Sequence, residues 1–223
     1  MVFFNRLLIF STLLTFCVVV FGAYVRLTDA GFGCPDWPGC FGTLTVPESE
    51  IAIKEAQTAY PGSIVEVDKA WIEMIHRYLA GILGLLVLSI TFIAYKFRDE
   101  IRVKFILPLS ILVLITFQAA LGMWTVTELL KPIIVTAHLI GGMTILGLLT
   151  YMTHRHIGAI SNSVIINPKI TPFIRFSLVL LFFQIMLGGW TSTNYAALAC
   201  TDFPTCHGSF FPDMDFKNGF NVF

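Results

Sequence analysis

The chain has 223 residues, of which 56% are hydrophobic and 13% are charged, and its mean hydropathy is +0.80. Soluble domains usually carry about a quarter charged residues, so this composition excludes an ordinary water-soluble protein. The formal net charge is zero, which points to neither an acidic nor a basic partner, and nothing in the sequence suggests nucleic-acid binding.

Five apolar runs account for this composition, at residues 7–25, 71–95, 105–126, 132–152 and 172–195. Each run is long enough to cross a hydrocarbon core of about 30 Å as a helix. We therefore predict an all-α integral membrane protein that lies in a lipid bilayer.

Basic residues indicate how the spans are oriented. They are concentrated in the links between spans two and three and between spans four and five: Lys96, Arg98, Arg102, Lys104, Arg155 and Lys169. By the positive-inside rule, these links and the N-terminus are cytoplasmic, and the loops that contain cysteine pairs are outside. The first apolar run is longer than that of a signal peptide, has no A-x-A cleavage site and follows no Arg- and Ser-rich leader. These features favour the cytoplasmic (inner) membrane of a bacterium.

Two short polar segments contain four of the five cysteines: "GCPDWPGC" at 33–40 and "ACTDFPTC" at 199–206. In both, a C-x5-C pair encloses an aspartate, an aromatic residue and a proline. The outer side of a membrane is oxidising, which makes these cysteines candidates for disulfides that close small loops. Zinc sites favour C-x2-4-C and redox-active dithiols favour C-x-x-C, so the spacing argues against both. Cys17, inside span one, is expected to be a buried apolar residue.

A repeat links the two ends of the chain. Residues 22–42 align with residues 188–208 without a gap, at a constant offset of 166, and "FQAALGMWTVT" (117–127) is similar to "FFQIMLGGWTST" (182–193). Span five is therefore predicted to be a second copy of span one. We expect a four-helix transmembrane bundle followed by the first helix of a second, repeated bundle.

The repeat also predicts the domain organisation. The predicted parts are a first four-helix unit at 1–153 with an outer loop at 27–69, a cytoplasmic linker at 154–170, and the first helix and outer loop of an incomplete second unit at 171–223. Since a partial repeat cannot bury its own faces, we expect this chain to be a truncated form of a protein with roughly eight spans.

The outer loop contains its own helical pattern. Pro47 and Pro61 bracket "ESEIAIKEAQTAY", in which Ile53, Ala56 and Tyr60 recur at helical spacing. This predicts a short helix, which lies either on the membrane surface or in an ordinary solvated loop.

Span two opens with "KAWIEMIHRYLAG", which places three ionisable residues in its outer third. Ionisable residues inside a membrane are costly and usually functional. Glu73 and His76 are three residues apart and share a helix face. Arg77 lies about 100° further round the helix, and we expect it to point elsewhere, up toward the surface.

Span four opens with "KPIIVTAHLIGG", and His138 lies at the same depth as His76, roughly 10 Å below the outer boundary at 1.5 Å per residue. Two helices can thus present imidazoles to the two axial positions of a flat tetrapyrrole. The small residues that would admit such a disc are Gly81, Gly84, Gly141 and Gly142. The alternative is a hydrogen-bonded packing histidine in each helix.

The remaining polar residues of interest have simpler interpretations. His154 and His156 belong to a basic cluster at the inner end of span four, and His207, which directly follows the second cysteine segment, is either a metal ligand or an ordinary loop histidine. Gln118 and Gln184, at matched positions, are expected to make interhelical hydrogen bonds.

These segments together resemble the heme A synthase family: "VRLTDAGFGCPDWPGC", "KAWIEMIHRYLAG", "LGMWTVT", "LKPIIVTAHLIGG" and "LGGWTSTNYAALACTDFPTC", in that order and over essentially the whole chain. The resemblance implies eight spans in two four-helix halves, each of which offers a histidine pair to a heme. It implies that a ring methyl of heme O is oxidised to a formyl group by successive hydroxylations, which gives heme A for terminal oxidases.

The resemblance also implies specific residues and partners. Glu73 matches the catalytic glutamate, His76 and His138 match the heme-iron ligands of the first half, and the disulfides are Cys34–Cys40 and Cys200–Cys206. Heme O is the implied substrate in the first half, and heme b is expected in the second half, whose sixth and eighth spans are absent. A heme O synthase, an electron donor and a second copy of the chain are the other expected partners.

Two other functions stay open at this point. A membrane heme-binding electron carrier would use the histidines but not Glu73. A quinone-linked disulfide-bond oxidase would use outer cysteines, but it predicts C-x-x-C and gives the paired histidines no role.

Overall fold

The computed structural model describes residues 2–101, 103–158, 169–213 and 215. These residues form six α-helices: α1 (Val2–Leu27), α2 (Glu50–Ala59), α3 (Val67–Lys96), α4 (Ile106–Thr127), α5 (Pro132–Ile157) and α6 (Thr171–Thr193), followed by a short 3₁₀ turn at Ala196–Leu198. All except α2 are long and apolar enough to cross a membrane. The predicted all-α membrane fold with five spans is therefore confirmed.

Four of the spans form a closed ring. Helices α1 and α4 each contact both α3 and α5, whereas no Cα atoms of α3 and α5 approach within 8 Å in the described residues. The helices α3 and α5 therefore lie on opposite corners of the ring. Among the other helices in the described residues, only α5 has Cα atoms within 8 Å of those of α6, and α6 lies outside the ring.

The inner half of the ring has a packed apolar core. Its fully buried side chains include Leu8 on α1, Ile90 on α3, Ile111 on α4 and Leu149 on α5. Because lipid tails are as apolar as leucine, such residues stabilise the bundle by van der Waals packing rather than by leaving water.

A second apolar cluster covers the outer end of α3. It combines the first cysteine loop (33–42) with α2 and the first turns of α3: Cys34, Cys40, Phe41, Val46, Ala56, Ala70 and Met74. The predicted short helix is confirmed as α2, whose N-cap Ser49 accepts the N–H of Ala52 at 3.2 Å. As the spacing predicted, Ala56 is buried while Ile53 and Tyr60 are half-buried.

Both cysteine loops are closed by the expected disulfides, Cys34–Cys40 and Cys200–Cys206. The enclosed aspartates bind matching backbone groups. Oδ1 and Oδ2 of Asp36 accept the N–H groups of Phe41 and Gly42 at 2.6 and 2.8 Å. Asp202 accepts those of His207 and Gly208 at 2.7 and 3.0 Å. Gly42 and Gly208 both have φ of +76°, a left-handed conformation that favours glycine.

The repeat brings equivalent residues into contact with one another. Arg26 donates to the carbonyl of Ser192 at 2.6 Å, and the Tyr195 hydroxyl donates to Asp29 at 3.0 Å. Both pairs are 166 residues apart, so each residue contacts the one that the sequence alignment matches to it. Contacts between equivalent residues are typical of positions beside a twofold axis. The outer ends of α1 and α6 therefore contact each other through residues that the repeat aligns.

Cys17 is exposed on α1, so the expectation that it is buried was wrong. Helix α1 packs through the face that contains Leu8, Ser11 and Thr15. At 100° per residue, Cys17 lies about 200° beyond Thr15 and therefore points away from that face.

The predicted linker at 154–170 lies largely outside the described residues. Only 154–158, at the end of α5, and 169–170 are described.

Candidate functional site

His76 and His138 are the outermost members of the core-facing stripes on α3 and α5. The stripes continue inward at the same separations, i+7, i+11, i+14 and i+18: through Leu83, Val87, Ile90 and Ala94 on α3, and through Ile145, Leu149, Met152 and His156 on α5. These separations return to one face of an α-helix. Both imidazoles therefore face the interior of the ring, from opposite corners and at the same depth.

Glycines occupy the other two corners at this depth. A Cβ atom added to Gly22 on α1 would lie 3.0 Å from Cε1 of His76, and one added to Gly122 on α4 would lie 3.3 Å from Cε1 of His138. Phe21 stacks near His76, with 6.4 Å between ring centroids. Each imidazole thus rests against the backbone of a neighbouring helix. We call His76, Gly122, His138 and Gly22 the histidine layer.

Few side chains are buried at the level of this layer. No residue is buried between Met74 and Leu83 on α3, or between Thr136 and Ile145 on α5. The Nδ1 atoms of both histidines are buried without a hydrogen-bond partner, which is uncommon for buried polar atoms. Two facing imidazoles with unused nitrogens, separated from the packed core, fit a heme bound through both axial positions.

Two surface cavities lie elsewhere. One of about 370 Å³ is lined by residues at the inner ends of α1 and α5, such as Thr12 and His154. Another of about 520 Å³ lies beside α2, between Lys54 and Thr58. Neither includes a residue of the histidine layer, so the candidate site is identified by its chemistry and not by an open cavity.

Glu73 lies one turn outward of His76 and is 5% exposed. Its Oε2 accepts the N–H of Cys34 at 3.0 Å, and its Oε1 is 2.5 Å from Nη2 of Arg77. The carboxylate therefore connects α3 to the first cysteine loop.

Arg77 does not point away from Glu73, contrary to the sequence-based expectation. Besides the ion pair, it donates to the carbonyl of Asp36 at 2.9 Å and to those of Pro38 and Gly39. The reason is that the first cysteine loop covers this face of α3 and offers three backbone acceptors to the guanidinium. Arg77 thus joins the carboxylate, the helix and the loop.

The other polar residues differ in their surroundings. Gln118 makes the predicted interhelical hydrogen bond, from Nε2 to the carbonyl of His138 at 2.6 Å, whereas Gln184 is exposed on α6. His156 is buried against Phe4, with 5.0 Å between ring centroids. His154 and His207 are exposed, and the second cysteine loop is remote from the histidine layer.

The sequence patterns did not identify Gly22, Gly122 or Arg77 as parts of this site. A signal for the glycines was present, because Gly22 aligns with Gly188 at the offset of 166 and Gly122 aligns with Gly188 in the shorter repeat. For Arg77 the signal was partial: it lies four residues after Glu73, a spacing at which an acid and a base pair on a helix, whereas its loop acceptors are about 40 residues away along the chain.

Comparisons with known proteins agree with these features. Residues 5–223 match a protein family described as Cytochrome oxidase assembly protein. The chain is similar to the heme A synthase of Shewanella oneidensis, with 48% identity over 97% of this chain and 65% of that protein. It is also similar to the heme A synthases of Alkalihalophilus pseudofirmus and Halalkalibacterium halodurans, each at 26% identity, over 94% and 98% of this chain.

The chain spans 65%, 67% and 70% of the lengths of these three relatives. No solved structure matches it. Because the family match covers the chain from residue 5 to its last residue, this protein belongs to the cytochrome oxidase assembly protein family.

Proposed function

We propose that this chain forms the heme O-binding half of a heme A synthase, in which a ring methyl of heme O is oxidised to a formyl group. The observation that carries the proposal is the pair of inward-facing histidines, His76 and His138, whose Nδ1 atoms are buried without partners. The names of the curated relatives support the same reaction.

In this proposal, His76 and His138 orient the substrate by binding its iron from opposite corners of the ring. Each of two successive hydroxylations of the methyl group is a two-electron oxidation that needs an external oxidant; dioxygen would serve, with two electrons from the proposed donor and two protons forming water at each step. The second hydroxylation gives a geminal diol, which loses water to form the aldehyde. Glu73 lies one turn outward of His76, where its carboxylate can stabilise positive charge that develops at the methyl carbon or accept a proton from it. Arg77 and the N–H of Cys34 hold the carboxylate in place.

The domain organisation and topology are part of the proposal. Residues 1–153 form the first unit with its outer loop at 27–69, residues 154–170 form a cytoplasmic linker, and residues 171–223 begin a second unit that would bind heme b when complete. The N-terminus is cytoplasmic and the protein lies in the inner membrane of a bacterium. The basic residues at the inner ends of the spans and the bacterial relatives support this. A heme O synthase, an electron donor and a second copy of the chain are proposed partners.

One observation favours a second function, that of a membrane electron carrier. Both carboxylate oxygens of Glu73 already have partners, Cys34 N–H and Arg77. A glutamate so occupied could serve only to attach the cysteine loop, in which case heme would be bound but not modified.

The test begins with the purified chain and heme O. We expect a visible spectrum of low-spin heme with two nitrogen ligands, which His76→Ala or His138→Ala abolishes. Extraction of hemes from cells that make heme O, followed by mass spectrometry, then distinguishes heme A from unmodified heme O. Absence of the low-spin spectrum would contradict the binding site, whereas bound but unmodified heme O would favour the electron carrier.

A further inference from the structure

We propose that Gly22 and Gly122 are specificity-determining residues, which keep the histidine layer open for the edges of a planar macrocycle. This inference rests on the proposed function and extends it to two residues on the helices that carry no histidine. It starts from the geometry of the ring: the histidines lie on the α3–α5 diagonal, and the glycines lie on α1 and α4.

A planar macrocycle held between the two histidines would lie perpendicular to the line that joins them. Its edges would therefore extend toward α1 and α4. Side chains that face the interior of the ring at this depth on α1 and α4 would therefore meet those edges. Gly22 lies seven residues beyond Thr15 on the buried stripe of α1, and Gly122 lies four residues beyond Gln118 on that of α4. Both glycines thus stand where each helix would otherwise direct a side chain into the layer.

An unused polar atom next to the layer points independently to a ligand. Gln118 is 8% exposed, and its Nε2 donates to the carbonyl of His138. Its Oε1 is buried without a partner and lies 2.5 Å from where a Cβ of Gly141 would be. A buried amide oxygen without a donor is costly. Gln118 lies one turn inward of Gly122, so this unpaired acceptor is at the inner edge of the layer, against Gly141.

The repeat shows what accompanies the glycines of the layer. Gly188 on α6 aligns with both Gly22 and Gly122, and a Cβ added there would meet nothing within 4 Å. In the described residues, Gly188 therefore has no imidazole beside it, whereas Gly22 and Gly122 each have one. Where a histidine is present, the glycine is the surface on which the imidazole rests.

Alanine at either position tests the inference. A Cβ at Gly22 would lie 3.0 Å from His76 Cε1, so the imidazole must shift by a few tenths of an ångström, and the added Cβ also narrows the layer. We expect Gly22→Ala and Gly122→Ala to weaken hemin binding at least tenfold and to reduce the low-spin electron paramagnetic resonance signal of two imidazole ligands. The control is Gly147→Ala on α5, an exposed site where a Cβ meets nothing within 4 Å, and this variant should bind hemin like the parent chain.

The melting temperature of the empty protein shows whether a variant loses hemin binding because it misfolds. Alanine has the higher helix propensity, so the helices themselves should not be weakened. If Gly22→Ala lowers the melting temperature of the empty protein, adding His76→Ala should restore it, because the clash is with that ring. A loss that His76→Ala does not relieve would overturn the inference.

Hemin binding separates failure of this inference from failure of the proposed function. Unchanged hemin affinity and an unchanged low-spin signal in both glycine variants would overturn the inference while the proposed function stands. A parent chain that binds no hemin would overturn the proposed function and this inference together.

Discussion

The two cysteine loops share an internal structure but have different surroundings. In each, an aspartate accepts two backbone N–H groups, and the second cysteine donates its N–H at 2.8 Å to a carbonyl three residues later. Cys34 and Cys40 are 1% and 0% exposed, however, whereas Cys200 is exposed and Cys206 half-buried. The same local sequence therefore produces a buried loop in one place and an accessible loop in the other.

The difference arises from α3 and α2. Glu73 and Arg77 bind the backbone of the first loop, and Tyr60, at the end of α2, donates to Asp36 at 3.3 Å. The second loop has no comparable helix against it in the described residues. Short-range hydrogen bonds and a disulfide thus determine the shape of each loop, and contacts distant in sequence determine whether it joins the histidine layer.

The largest expected effect follows from removing the carboxylate that joins the first loop to α3. Under the proposed function, Glu73→Gln keeps the size of the side chain and an acceptor for Cys34 N–H but loses the ionisable group. We expect heme binding to persist and heme A formation to fall by roughly 10²–10⁴-fold, with the alcohol accumulating. The measurement is mass spectrometry of extracted hemes.

The control for this prediction is Glu128→Gln, which removes a largely exposed carboxylate that pairs with Lys131 at 2.7 Å. It should leave heme A formation unchanged. Heme A formation at the normal rate in Glu73→Gln would mean that the glutamate only attaches the loop.

The next effect concerns stability and compares two arginines. Arg77→Met leaves Glu73 and three loop carbonyls without their donor at a site where the ion-paired side chains are 12% and 7% exposed. Removing one partner of a buried ion pair costs about 3 kcal/mol. Arg26→Met removes the ion pair with Asp29, whose side chains are 18% and 56% exposed, and one hydrogen bond to the carbonyl of Ser192, and should cost less, about 1–2 kcal/mol.

Denaturant unfolding in detergent measures both changes, and limited proteolysis of residues 27–69 shows whether the first loop has detached. Similar losses for the two arginines would show that the burial of the first loop does not depend on Arg77.

Much of the fold could be predicted from sequence because its causes are local. The lengths of the apolar runs fixed the five spans, and the offsets of His76 and His138 from their helix starts indicated equal depth. The orientation of Cys17 could not be predicted, because α1 is apolar all round and only its packing partners select the inward face.

The parts of the site that were missed depend on contacts between distant segments. The carbonyls that accept from Arg77 lie on a loop whose path over α3 is not encoded within span two. Gly22 and Gly122 were visible as repeated glycines, but their importance depends on which helix lies beside each histidine. The periodicity within one helix does not show which helix packs beside each histidine.

Reduction of the disulfides should reveal the difference in burial directly. Because thiol–disulfide exchange depends on access to the sulfur atoms, Cys200–Cys206 should be reduced about tenfold faster than Cys34–Cys40 at limiting dithiothreitol. Mass mapping of alkylated peptides gives the two rates. Arg77→Met should bring the rates together by exposing the first loop, and equal rates in the parent chain would contradict the burial of Cys34 and Cys40.

The smallest expected effects are responses of the two loops to opposite ends of the pH scale. The Thr205 hydroxyl and the N–H groups of Gly208 and His207 hold the pKa of Asp202 below its usual value. These hydrogen bonds to the Asp202 carboxylate therefore stabilise the second loop above the usual pKa of about 4, and this stabilisation is lost as the pH falls through the lower folded-state pKa.

In the first loop, partial desolvation and then the Asp36 carboxylate raise the pKa of Tyr60. The protonated Tyr60 hydroxyl therefore stabilises the first loop below the usual pKa of about 10, and this stabilisation is lost as the pH rises through the higher folded-state pKa.

Amide hydrogen exchange of each loop across the pH range, corrected for intrinsic rates, should therefore show acid loosening at His207 and Gly208 and alkaline loosening at Phe41 and Gly42. Asp202→Asn should remove the acid response without altering the first loop, and Tyr60→Phe should remove the alkaline response without altering the second. The expected alkaline change is the smaller of the two, because Phe41 and Gly42 keep their hydrogen bonds to Asp36 when the phenol ionises. If both loops loosened at the same end of the scale, the different contacts of Asp36 and Asp202 would not be what distinguishes them.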